Sequence, residues 1–110
     1  MHPRVSTLIL IVVVMLNSLV CHAEDAPSPE LVAQGRNLFN TKEGLGVKYA
    51  CIMCHKSDKA VKKSMLVKLG DKLPLTLNKY LVNKSKGKAI AEDSEQMKAL
   101  MAYIQYEHAK

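Results

Sequence analysis

The sequence has no tryptophan, one phenylalanine and four tyrosines, so aromatic material for a core is scarce. Five glycines and four prolines, with no repeat or low-complexity tract, exclude collagen-like, mucin-like and disordered classes. No stretch alternates apolar and polar residues as a strand would, so an all-α fold is expected. At 110 residues the chain is too short for a dinucleotide-binding domain or a barrel and makes one domain at most. Acidic side chains are the minority, ten against sixteen Lys and Arg. A bilayer-spanning run of roughly 20 apolar residues is also lacking; the longest unbroken run, 8–16, is about half that length.

That short run has a different meaning. It follows a weakly basic start (His2, Arg4) and precedes a small residue, Ala23, the three parts of a cleavable secretory signal. Residues 1–23 are therefore expected to be a signal peptide and 24–110 the mature domain, with an uncleaved anchor as the alternative. Lipid modification at Cys21 is disfavoured because Val20, not a small residue, precedes it. Cleavage leaves two cysteines, Cys51 and Cys54. A domain this small buries a low fraction of its surface and needs a staple. A disulfide across two intervening residues closes too small a loop to serve.

Cys51-Ile52-Met53-Cys54-His55 supplies a better one. Two thiols at this spacing can add to the two vinyl groups on one haem edge, and the adjoining imidazole can ligate the iron, which is the c-type haem attachment pattern. A redox dithiol would not require the histidine. A structural zinc site needs four ligands, and outside the signal segment only Cys51, Cys54, His55 and His108 are thiols or imidazoles. One covalently bound haem c is therefore expected, with His55 as proximal iron ligand. Its flat apolar body makes good the thin core.

Around the motif the pattern is helical. Ser28 and Pro29 suit the N-cap and first position of a helix, and Leu31, Gly35, Leu38 and Phe39 share one face. Residues 40–47, with Gly44 and Gly46, form a turn-rich loop. A short helix is expected from Asp58, with Val61, Met65 and Leu69 on one side, broken at Gly70. Another starts at Pro74 and carries Leu77, Tyr80 and Leu81. Residues 83–88 are a lysine-rich connection. The last helix opens on Asp93 and Ser94, both capping residues, with Gln96 three after Asp93 as in a capping box, and carries a stripe of Met97, Leu100, Met101 and Ile104. Gly35 and Phe39 are expected to meet Leu100 and Tyr103, so that the first and last helices cross. His108 reads as a solvent-facing residue near a fraying end.

Gly35-x-x-x-Phe39 paired with Leu100-x-x-Tyr103, around the haem motif, resembles the class I c-type cytochromes. The resemblance covers nearly all of residues 24–110 and implies their small all-α fold, with crossed first and last helices and covalent haem as core. Two departures stand out. Family members usually place a proline soon after the histidine to orient its ring, and here none follows before Pro74. They also offer a methionine in the loop before the last helix, whereas residues 70–92 contain no Met and no His.

The sixth ligand is thus open. Met65 is one candidate, with core packing as the alternative reading. Met97 and Met101 belong to the core stripe, and Met53 is pinned between the cysteines. Tyr80 is raised by a narrower resemblance. Leu77-Asn78-Lys79-Tyr80, Gly87-Lys88 and the run from Asp93 to Ile104 resemble the C-terminal part of sulfur-oxidation cytochromes (the Sox-type catalytic haem subunit and thiosulfate dehydrogenase) and of small periplasmic cytochromes with His/Cys haem. In those proteins a cysteine seven residues before the Gly-Lys pair ligates the iron, and Tyr80 holds that place here. A phenol, with a reference pKa of about 10, is a poor ligand unless ionised. A weak or exchangeable sixth position follows, unless Tyr80 simply packs against haem.

Residues 56–88 carry ten lysines against Asp58 and Asp71. Such a stretch would steer a redox partner with an acidic surface, or serve as a solvated face that also balances the haem propionates. The expected function is that of a periplasmic monohaem cytochrome transferring single electrons, a carrier rather than an enzyme. Two alternatives remain: a gas-binding haem protein (NO, CO or O2), and a small haem subunit of a sulfur- or nitrogen-cycle oxidoreductase, paired in a heterodimer with another small cytochrome. Neither nucleic acid nor, once the signal is cleaved, a membrane is an expected partner.

Overall fold

Side-chain capping, helix breakers and a single close backbone contact organise the chain in a computed structural model that describes residues 26–110. The expected signal segment, 1–23, and its cleavage junction therefore lie outside the described residues. Helix α1 spans Pro29–Asn40; the Ser28 side chain accepts from the Leu31 N–H, and Pro29 occupies its first turn. Helix α2 spans Lys63–Leu69 and α3 spans Leu73–Asn83, separated by a 3₁₀ turn at Gly70–Lys72. Gly70 has φ +51°, a backbone conformation that costs glycine little, and it ends α2. Helix α4 spans Glu95–Tyr103 and runs into a π turn, Ile104–His108. No strand occurs among the described residues, as the absence of alternation predicts.

The core forms where α1 packs on α4. Leu38, Phe39, Ala99, Leu100, Tyr103 and Ile104 make one buried cluster, and the Phe39 and Tyr103 rings stand 5.2 Å apart. Full burial of Phe39, Met97 or Leu100 each contributes roughly 1.5–3 kcal/mol. Gly35 allows the approach: a Cβ there would lie 1.9 Å from the Ala99 carbonyl oxygen and 2.7 Å from the Tyr103 Cβ. The expected meeting of Gly35 and Phe39 with the last helix is therefore present.

Two local expectations are corrected. The helix expected from Asp58 begins at Lys63 instead. Ser57–Lys59 is a 3₁₀ turn and Ala60 and Lys62 are extended. The main-chain groups of Val61 and Lys63 are bonded to His108 and Lys110 rather than to a helix. The capping box does not form either. Ser94, not Asp93, caps α4 by accepting from the Met97 N–H at 3.1 Å, and Gln96 Nε2 donates to the Gly44 carbonyl at 3.1 Å. The stripe itself holds: Met97, Leu100 and Ile104 are buried and Met101 half-buried.

Candidate functional site

A cavity of about 440 Å³ opens between the α1–α4 core and the α2–α3 pair, within the roughly 300–1,000 Å³ typical of cofactor and small-molecule sites. Phe39, Leu100 and Ile104 form its core side; Leu66, Leu69, Leu73, Leu77 and Leu81 form its α2–α3 side. Cys51 and His55 lie on its wall, with Lys59, Ala60, Val61 and Lys62 beside them. Met65 and Tyr80 also line it, and each is about half exposed.

The Cys-x-x-Cys-His run opens on a short 3₁₀ turn, Cys51–Met53, after extended Ala50. The Cys54 and His55 N–H groups both donate to the Cys51 carbonyl, at 3.2 and 3.0 Å, so the five residues wind into one tight unit. Its entry is fixed by Ser85, whose carbonyl accepts from the Lys48 and Tyr49 N–H groups at 2.9 and 3.1 Å. Ser85 is buried and lines the cavity. Burial pushes the Cys51 thiol above its ordinary pKa, while a main-chain hydrogen bond and the Ser85 side chain pull it down. Cys54 is exposed and stands outside the cavity wall, and the two thiols are free. Met53 is exposed and also off the wall, so the structure does not bring it to the site.

Lys59 supplies the carbonyl that the missing proline left unassigned. Its oxygen lies 3.3 Å from His55 Nδ1. An oxygen can only accept, so a hydrogen bond here requires the proton on Nδ1, and in that tautomer of the neutral ring Nε2 keeps its lone pair. A bond of this kind both orients a ligating imidazole and raises its basicity.

His108 is a correction. It is half-buried rather than solvent-facing, its ring centroid 4.4 Å from Phe39 and 6.4 Å from His55, and its Nε2 accepts from the Val61 N–H at 3.2 Å. Burial first, then the neighbouring His55 and Lys110, lowers its pKa. Its spacing of four residues from Ile104 is the signal that marks it as a continuation of the core stripe. Ser85 and the Lys59 carbonyl carry no such signal. Asn78 is not on the cavity wall and is committed elsewhere: its side-chain amide exchanges two hydrogen bonds with the Ile90 main chain, at 2.8 and 2.9 Å.

All ten lysines between positions 56 and 88 are exposed, and Lys59 and Lys62 stand at the cavity itself. Among the described residues no three His, Cys, Asp or Glu side chains gather as a metal-ligand set, and no helix is long and apolar enough to cross a membrane. Compared with known proteins, the chain matches no family model, no curated protein and no solved structure.

Proposed function

We propose that this chain is a periplasmic monohaem c-type cytochrome that carries single electrons, in a class I-like fold. One observation carries the reading: Cys51 and His55 of a Cys-x-x-Cys-His run face an apolar cavity of cofactor size. The donor set fits haem. Cys51 would anchor one vinyl edge from inside the cavity, and the exposed Cys54 thiol is accessible for the second attachment. His55 offers Nε2 to iron because Nδ1 is turned to the Lys59 carbonyl. Haem, when bound, supplies an iron that alternates between Fe(III) and Fe(II). The surrounding leucines would pack against its apolar faces, and the bound group would complete a core that the sequence leaves thin in aromatics.

Export by residues 1–23 supports the periplasmic assignment, since c-type attachment in bacteria takes place outside the cytoplasm. The exposed lysines of residues 56–88 favour a redox partner with an acidic surface, which they would attract over distances limited by salt. Another small cytochrome in a heterodimer is one such partner.

A second reading has its own support. Met65 and Tyr80 are the two candidate sixth ligands, both on the cavity wall and both half exposed. An accessible, weakly held sixth position favours gas binding over plain electron transfer. The test is an absorption spectrum of the secreted protein, oxidised, reduced, and reduced under carbon monoxide. A Soret band that survives acid-acetone extraction supports covalent haem. Its absence ends the proposal. A low-spin ferrous spectrum indifferent to carbon monoxide supports the carrier; ready binding supports the gas-binding alternative.

A further inference from the structure

The segment 108–110 lies along 57–63 and bonds to it four times. Val61 N–H donates to His108 Nε2 at 3.2 Å. Lys110 N–H donates to the Val61 carbonyl, and Lys63 N–H to the Lys110 main-chain oxygen, both at 3.0 Å. Lys110 Nζ donates to the Ser57 carbonyl at 3.1 Å. The π turn Ile104–His108, closed by a 2.9 Å bond from Ala109 N–H to the Ile104 carbonyl, delivers His108 from the end of α4. Turns of this class are often found at functional sites.

We propose that His108 is a positioning residue for His55, acting through Val61. Holding the Val61 N–H fixes the chain from Lys59 to Val61, and with it the carbonyl oxygen that faces His55 Nδ1. Lys59, Ala60 and Val61 form part of the cavity wall, so the same bond settles that wall. The residue type suits the task. An imidazole packs its ring, tilted, against Phe39 and Tyr103 while presenting an in-plane lone pair to an N–H. Aliphatic side chains lack the acceptor, and a phenyl ring lacks the lone pair. His108 makes no bond to the proposed cofactor in this scheme; it sets the hydrogen bond that tunes the residue which does.

The inference rests on the haem reading, and two substitutions separate its parts. His108→Phe keeps an aromatic ring and removes the acceptor. His108→Gln removes the ring and keeps an acceptor close to the Nε2 place. In the haem-loaded protein, His108→Phe is expected to raise the midpoint potential, because a His55 that donates less well from Nδ1 is a less basic ligand and supports Fe(III) less. It should also move the hyperfine-shifted His55 proton resonances and speed exchange of the Val61 amide roughly tenfold, the factor one hydrogen bond sustains. His108→Gln is expected to restore all three towards wild type. Wild-type values in His108→Phe overturn the assignment, and so do equal changes in both variants, which mark a packing role alone. Wild-type protein that carries no covalent haem overturns the functional reading itself, and this inference with it.

Discussion

Gly35→Ala tests the contact on which the helical core depends. The new Cβ would lie 1.9 Å from the Ala99 carbonyl oxygen and 2.6 Å from its carbon. Ordinary contact between such atoms is roughly 3.5 Å, so the helices must part by about 1.5 Å at that point. Both sides of the contact are helical backbone, which cannot turn aside as a side chain would. A gap of only about 0.5–1 Å already forfeits a quarter to a half of the dispersion between facing atoms, and Leu38, Phe39, Leu100 and Tyr103 all pack beside it. Overpacking costs about 1–3 kcal/mol and sometimes more; two rigid walls place this case at or above the upper end. Alanine returns about 1 kcal/mol through helix propensity. The net expectation is a loss of about 2–3 kcal/mol, a fall in Tm on the order of 10–20 °C for a domain of this size. Urea denaturation followed by far-UV circular dichroism reads it. Ala33→Gly, on the exposed face of the same helix, is the control and should lose about 1 kcal/mol from propensity alone. The steric argument and the propensity argument give opposite signs for Gly35→Ala, so a variant as stable as wild type, or more so, refutes the close approach.

Other expectations follow from the proposed haem site, for the haem-loaded protein, and from its surroundings. Tyr80→Phe should alter the ferric spectrum if the phenol reaches iron, whereas Met65→Leu should not; the reverse pattern assigns Met65, and two unchanged spectra remove both. Oxidation of the ferrous protein by ferricyanide should slow as salt is added, because ten lysines against two acids attract an anion; stopped-flow rates that ignore ionic strength contradict the steering surface. Glu107 accepts two hydrogen bonds from Arg36, at 2.5 and 2.6 Å, which hold its carboxyl below the usual carboxylate range. That stabilisation is present above the unfolded value of about 4.3 and is lost as pH falls through the depressed one. Below about pH 4.3 the wild type should therefore lose more stability than Glu107→Gln, by a small margin because the pair is exposed; parallel acid-melting curves would contradict this.

What was legible in the residues was what local chemistry decides. Ser28 and Pro29 announce α1 because a hydroxyl acceptor and a ring-fixed φ act within one turn. Gly35 with Phe39, and Leu100 with Tyr103, announce a helix contact because both pairs fall on apolar faces. The beginning of α2 was not legible. Its onset at Lys63 goes with hydrogen bonds between residues 61–63 and the His108 ring and Lys110 main chain, nearly fifty positions away in sequence, and no propensity encodes them. Asp93 and Ser94 are both good caps, and the fold uses Ser94; Gln96, expected to complete a box, is drawn to the Gly44 carbonyl instead. At the site, the Cys-x-x-Cys-His spacing singles out Cys51 and His55, which the cavity wall holds, and Cys54, which stands outside it. The partner of His55 is a carbonyl, which every residue possesses, so no side-chain pattern points to Lys59.

Asn78 has a consequence beyond holding one loop. Its amide meets both the N–H and the carbonyl of Ile90, as an adjacent strand would. The connection between α3 and α4 is thereby pinned near its middle and behaves as two short spans. Each has far fewer conformations than the whole, and a protease needs an extended, pliant stretch to cut. The lysines at 84, 86 and 88 are exposed and of the type trypsin prefers. They sit on a span held by the Asn78 clip at one end and by the main-chain bonds of Ser85 and Gly87 within it, so cleavage there is expected to wait on the opening of those bonds.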